Sequence, residues 1–215
     1  MALLRELAED NVRVQHLGND WVDAVAKLDS QEARNLLLSF IDPALPSLTK
    51  ELIRHHDGRL VRRLAELAQR DANVLQRMFD LTKENVSGSH ATVLGKVLTS
   101  LGTTEAFLAS LELLRDDGTG GASYELHKNI EEAFVEHRPH GGSSNIVTMV
   151  PRSPNAIRSR LVEMVQSDPI RRKSAFTLLN EIEKWRMRHG RPDGEPRSPK
   201  MKAGFFWPPE LEASK

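Results

Sequence analysis

Seven basic residues near the C-terminal end, Arg158, Arg160, Arg171, Arg172, Lys173, Arg186 and Arg188, form the constellation whose chemistry merits first attention. Guanidinium and ammonium groups that converge in space hold phosphate oxygens, and each phosphate they neutralise releases counterions. Such a set suits phosphate, RNA, DNA or an acidic protein. The charge along the chain runs the same way. Residues 1–150 carry 16 Lys and Arg against 22 Asp and Glu, a balance of −6, whereas residues 151–202 carry 13 against 6, a balance of +7. Opposite charge in two halves serves an acidic partner or holds one half of the molecule against the other. The intramolecular use is the expectation, because a nucleic-acid binder usually adds exposed aromatics or a recognisable module, and aromatics make up only 5% of this chain. A protein partner is therefore expected ahead of nucleic acid.

No other pattern marks a reaction. Of the eight His, His55 and His56 are adjacent and would lie on different sides of a helix, and His137 and His140 flank Pro139 without a third ligand nearby. The carboxylate neighbours Glu131 and Glu132, or Asp116 and Asp117, have no apolar surroundings that would raise a pKa for acid–base work. The stretch Gly88-Ser-His-Ala-Thr-Val-Leu-Gly95-Lys96-Val97 is the nearest approach to a phosphate loop. Its glycines are too far apart, and Val97 stands where Ser or Thr would hold magnesium. Gly141-Gly-Ser-Ser144 lacks the strand-to-helix setting of a nucleophile elbow. No catalytic residue, cofactor or metal ligand is assigned, and the expectation is a protein that is not an enzyme.

These residues must be positioned by helices. Short apolar-periodic runs, each closed by turn residues, predict helices over 2–16, from Asp20, from Asp29 or Ser30, over 58–69, 73–83, 90–101 and 103–115, and over about 124–136. Ser47 reads as a further cap, with Lys50 where Glu or Gln would serve better. Gly102 joins two of these helices with Thr103 or Thr104 as cap, and residues 116–122 and 138–144 are the clearest loops. Further helices follow from Ser153-Pro154 and after the cap-and-proline pair Asp168-Pro169. The last helix is basic and amphipathic over 174–190, with Arg171, Arg172, Lys173, Lys184, Arg186 and Arg188 expected mainly toward water. Gly190 and Pro192 end it. Apart from 145–150, no two-residue alternation appears.

The fold class that follows is all-α, with stacked antiparallel helix pairs in a HEAT-like α-solenoid, and a compact helical bundle as the alternative. Residues 1–190 form the helical-repeat domain, divided into helix pairs over 1–116 and terminal helices over 124–190, and 191–215 is a proline-rich tail that Phe205, Phe206 and Trp207 would anchor. The N-terminal Met1-Ala-Leu-Leu-Arg-Glu-Leu-Ala-Glu-Asp10 interleaves charge with apolar residues, which argues against an export signal. With no cysteine and no apolar run long enough to span a bilayer, the expected location is the cytoplasm, without membrane contact.

Three segments carry a family resemblance: Val150-Pro-Arg-Ser-Pro-Asn-Ala-Ile-Arg-Ser-Arg-Leu161, Asp168-Pro-Ile-Arg-Arg-Lys-Ser-Ala-Phe-Thr-Leu-Leu179, and Ile182-Glu-Lys-Trp-Arg-Met-Arg-His-Gly-Arg-Pro-Asp-Gly-Glu-Pro-Arg197 with the closing Trp207-Pro-Pro209. Over about 60 residues they resemble the C-terminal end of bacterial NACHT-type NTPases with helical-repeat sensor regions. The resemblance implies a signalling or defence module that senses a ligand or protein partner. The missing phosphate-loop pattern implies a sensor or scaffold piece without the nucleotide domain.

Overall fold

The computed structural model describes residues 20–28, 30–45, 57–84, 86–116, 154–189, 200–202, 205–207 and 211. Among them the chain is predominantly helical: α1 (residues 20–27), α2 (Gln31–Leu38), α3 (Asp57–Arg70), α4 (Ala72–Lys83), α5 (Gly88–Ser100), α6 (Thr104–Leu111), α7 (Pro154–Ser167) and α8 (Arg172–His189). Two strands follow, β1 (Lys200–Lys202) and β2 (Phe205–Trp207), paired antiparallel. The helical body is as the all-α expectation has it, and this small hairpin is an addition in the segment expected as a proline-rich tail. Its strands are three residues each, too short for periodicity to announce them.

Local chemistry explains where the helices begin. Ser30 Oγ accepts from the Ala33 amide at 3.2 Å, Asp71 Oδ1 from Asn73 at 2.9 Å and Thr103 Oγ1 from Ala106 at 3.2 Å, so α2, α4 and α6 each have a side-chain N-cap. Gly102, at φ +69°, turns the chain out of α5 in the left-handed conformation that glycine adopts without steric cost. The predicted caps at Ser30 and Thr103 are therefore found in place. Ser47, the 2–16 helix, the 124–136 helix, both glycine loops, the 145–150 segment and His55, His56, His137 and His140 lie outside the described residues.

On α3, Leu60, Val61, Leu64, Ala65 and Ala68 are buried while Arg62, Gln69 and Arg70 are exposed, which is the single apolar stripe of a surface helix. α5 is different. Ala91, Val93, Leu94, Gly95, Val97, Leu98 and Thr99 are all buried, because α3, α4 and α6 each pack against it. The Gly88–Val97 stretch is thus a regular helix whose amides serve its own turns, and it forms no phosphate loop. α3 also packs on α4, α4 on α6, α6 on α7, and α7 on α8.

Ion pairs tie the first helices across this core. Asp23 of α1 takes Arg59 Nη1 at 2.8 Å and Arg63 Nε at 2.9 Å; Arg34 of α2 reaches Asp71 at 3.2 Å. Asp42 accepts from Arg77 Nε at 2.7 Å and from Nη2 at 3.0 Å, and Arg77 also meets Glu84. Burial alone would raise the carboxyls of Asp23 and Asp42. Hydrogen bonds from Arg63 and Arg77, together with the positive charge of the neighbouring arginines and, at Asp42, the Ala44 amide, overcome it and hold both below the usual range. Trp21 and Phe40 meet edge to face, 6.2 Å between ring centres, inside the same apolar cluster. Leu28 is 41% exposed just past the end of α1.

The chain after α8 returns to the body. β2 packs against α8, and Leu211 is buried at 5% exposure within the common core. Leu211→Ala is expected to cost roughly 2–4 kcal/mol, a fall in Tm on the order of 5–10 °C. Ending the chain after Gly190 should lower Tm further, whereas Ile170→Ala, at a residue 58% exposed, should change stability by less than about 0.5 kcal/mol. Thermal melts of the three variants check this, and a truncated chain that melts like the intact one would show that the returning segment adds no stability.

Candidate functional site

The predicted basic set begins on α7 and continues through the turn into α8, so the corner between these helices is the place to build the site. Asp168 ends α7. Its Oδ1 accepts from the amides of Ile170 at 2.9 Å and Arg171 at 3.1 Å, and its Oδ2 takes Arg171 Nη1 at 2.6 Å. The cap-and-proline reading of Asp168-Pro169 is therefore present in the geometry, although regular helix starts only at Arg172. Burial would raise the Asp168 carboxyl, but Arg171 and the two amides keep it below its ordinary value.

The next amides are taken from far away in sequence. Asp116 Oδ2 accepts from the Lys173 amide and Oδ1 from the Ser174 amide, each at 2.7 Å. The Asp116 amide donates to the Ile170 carbonyl at 2.9 Å, and Ser174 Oγ donates to the Arg115 carbonyl at 2.7 Å. Two carboxylates thus satisfy four amides at the start of α8, where the helix dipole favours negative charge. Beside them, Glu112 accepts from Arg160 Nη2 at 2.7 Å and Nε at 3.2 Å, and its carbonyl accepts from Arg171 Nε at 2.9 Å. Hydrogen bonds from Arg160 to Glu163 and Glu112 raise the Arg160 pKa. Residues 112–116 and 168–174 form a polar clasp.

The five predicted residues whose side chains the structure describes are not gathered on one external site. Arg160 and Arg171 are engaged in the clasp. Arg158 is buried between α7 and α8, with Nε 2.5 Å from Glu183 Oε1 and side-chain exposures of 9% and 1% for the pair. Arg172 is exposed and reaches the Gln166 carbonyl at 3.4 Å; the Lys173 side chain is exposed as well. The side chains of Arg186 and Arg188 lie outside the described ones. The described part of α8 has the expected apolar face, with Ala175, Leu178, Leu179 and Ile182 fully buried and Arg172, Lys173 and Thr177 exposed. Asn180 and Glu183 are buried as well, because α7 covers one side of α8 and β2 packs on another.

Glu112, Asp116 and Glu183 were not singled out as partners of the basic set. The one signal for them was the opposition of an acidic first part to a basic second part. Among the described residues, no group of three or more His, Asp or Glu is placed to hold a metal ion. The buried pair gives a test of how this corner is built. Arg158→Ala or Glu183→Ala alone removes one partner of a buried ion pair and should cost about 3–5 kcal/mol, while the joint change Arg158→Met with Glu183→Leu should recover most of it. Denaturant unfolding measures both, and single changes that cost no more than the double would contradict a desolvated ion pair.

Comparison with known proteins bears on this same stretch. Residues 129–208 match the family model described as NACHT C-terminal Alpha/Beta 2, a span that holds α7, α8, β1 and β2. The two short strands supply an extended component within that span. No curated protein and no solved structure matches the chain. The resemblance read from residues 150–209 therefore has independent support: residues 129–208 are similar to a NACHT C-terminal region, and α7 and α8 within that span are joined through Glu112 and Asp116 to the helices before them.

Proposed function

We propose that this chain is a non-catalytic sensor or scaffold module, in which stacked antiparallel helix pairs present a surface to a protein partner or ligand and the NACHT C-terminal region closes the stack. The clasp carries this reading, because it fastens the NACHT region to the preceding helices so that a load on one is felt by the other. Two further observations support the stacked arrangement. The ion pairs Asp23–Arg59, Arg34–Asp71 and Asp42–Arg77 recur at separations of 36, 37 and 35 residues, close to the length of a helical repeat. Next-but-one helices also pack together, α3 on α5 and α4 on α6, as successive pairs in a stack require.

The rival readings draw less support. Nucleic-acid binding through the basic C-terminal helices needs outward cations, and Arg158, Arg160 and Arg171 are engaged within the chain. Acid–base catalysis favours a carboxyl raised toward neutrality. Asp23, Asp42 and Asp168 are all shifted the other way by Arg partners. A bacterial, cytoplasmic setting in signalling or defence fits the reading.

Affinity purification of the tagged full chain from its native cell tests it. The expected result is co-purification of a NACHT-type NTPase or an effector protein, with the corresponding gene beside its own. A chain that purifies alone, from a gene set within a metabolic operon, and that turns over a small molecule in an activity screen would overturn the proposal.

A further inference from the structure

Ile170, in the turn between α7 and α8, is an apolar side chain that the packing of the fold does not use. Among the described residues, Leu28 and Ile170 are the large apolar side chains left in water, and Ile170 is the more exposed at 58%. Its position just before α8 would suit a hydrophobic staple, in which the side chain folds onto the fourth residue of the helix and leaves water. That fourth residue is Ala175, which is fully buried, yet Ile170 stays exposed. The backbone at Ile170 is held on both sides by the clasp. Its amide donates to Asp168 Oδ1 at 2.9 Å, and its carbonyl accepts from the Asp116 amide at 2.9 Å. Binding at this corner therefore requires little further ordering of the chain.

Arg172 and Lys173 follow it, both exposed, and among the described residues neither enters an ion pair. They occupy the first turn of α8, which holds no acidic residue and where the helix dipole disfavours positive charge. Cations there do not help the helix form. The carboxylates nearby are engaged elsewhere: Glu163 with Arg160 at 2.7 Å, Asp168 with Arg171 at 2.6 Å, and Asp116 with the Lys173 and Ser174 amides. We propose that Pro169, Ile170, Arg172 and Lys173 form a docking surface for an acidic segment of a protein partner, with an apolar side chain of that segment set against Ile170 and its carboxylates facing the two cations. An apolar anchor rimmed by charge is the make-up of a small interface centre. Nucleic acid is the poorer occupant, because two cations neutralise only two phosphates and Ile170 offers no π-face on which a base could stack. The proposal rests on the sensor reading and gives its partner a chemistry.

The test is a phage-displayed library of random peptides, selected on the immobilised full chain and counter-selected on its Ile170→Asp variant. The enriched peptides should combine Asp or Glu with a large apolar residue. In fluorescence anisotropy, a labelled enriched peptide should lose about threefold or more in affinity with Ile170→Ala, which adds no charge. Arg172→Gln with Lys173→Gln should weaken binding at low salt and flatten its salt dependence. Arg62→Gln with Arg70→Gln, at exposed cations of α3, should leave affinity unchanged. No enrichment, enriched peptides without acidic residues, full affinity in the Ile170→Ala or the Arg172 and Lys173 variant, or equal loss in the α3 variant would each overturn the assignment; the last would mean diffuse charge attraction. Labelled oligo(dT) that binds through Arg172 and Lys173, with no acidic peptide enriched, would overturn it in favour of nucleic acid. A protein partner that co-purifies equally with the intact chain and with Ile170→Asp removes the corner while leaving the sensor reading in place, so the two fail separately. Circular dichroism of each variant establishes that the helices remain folded.

Discussion

The structure depends on two carboxylates, Asp116 and Glu112, meeting the start of α8 and the arginines beside it. An α-helix begins with amides that have no partner inside the helix, and leaving such groups dry is costly. At α8 the local residue Asp168 satisfies two of them, and Asp116 supplies the rest of the cap from the end of the preceding helices. Glu112 adds charge-assisted hydrogen bonds from Arg160 and a carbonyl for Arg171. The constraint works in both directions. α8 has a capped start only where residues 112–116 lie against it, and those residues are fixed in place by the same bonds.

Two helices organise the packing on either side. α5 is covered by α3, α4 and α6, and α8 by α7 and β2. Apolar burial supplies most of the stabilisation, since Leu64, Met78, Leu81, Leu94, Leu98, Leu111 and Leu114 are essentially removed from water. The ion pairs add position more than energy. An exposed pair contributes little, so Asp23 with Arg59 matters mainly for the placement of α1 on α3. The Arg158–Glu183 pair is another case, because both groups are buried and each would carry a large desolvation penalty alone. It fixes the register of α7 on α8 within an otherwise apolar interface.

Much of the helical layout was legible in the residues. Ser30 and Thr103 cap where their side chains allow, Gly102 turns where only glycine turns without strain, and the apolar spacing of 58–69 foretells the buried face of α3. The sign of the charge asymmetry was legible too. Its destination was not, because pairing Asp116 with amides 57 and 58 residues away is a property of the tertiary fold that no local spacing encodes. The width of the buried face of α8 was hidden for a related reason. Spacing places Ala175, Leu178, Leu179 and Ile182 in the core, but the burial of polar Asn180 and Glu183 depends on α7 and β2 packing on the helix. The hairpin escaped because three-residue strands are set by their pairing partner and by the helix beneath.

The part of the chain that is similar to a NACHT C-terminal region is continuous with the helices before it, through hydrogen bonds as well as through a shared apolar core. Hydrogen exchange at the Lys173 and Ser174 amides tests that account most directly, comparing the intact chain with Asp116→Ala. The account predicts slow exchange at both amides in the intact chain and fast exchange in the variant, with α3 and α5 still protected. Fast exchange in the intact chain, or protection that survives the loss of Asp116, would contradict it.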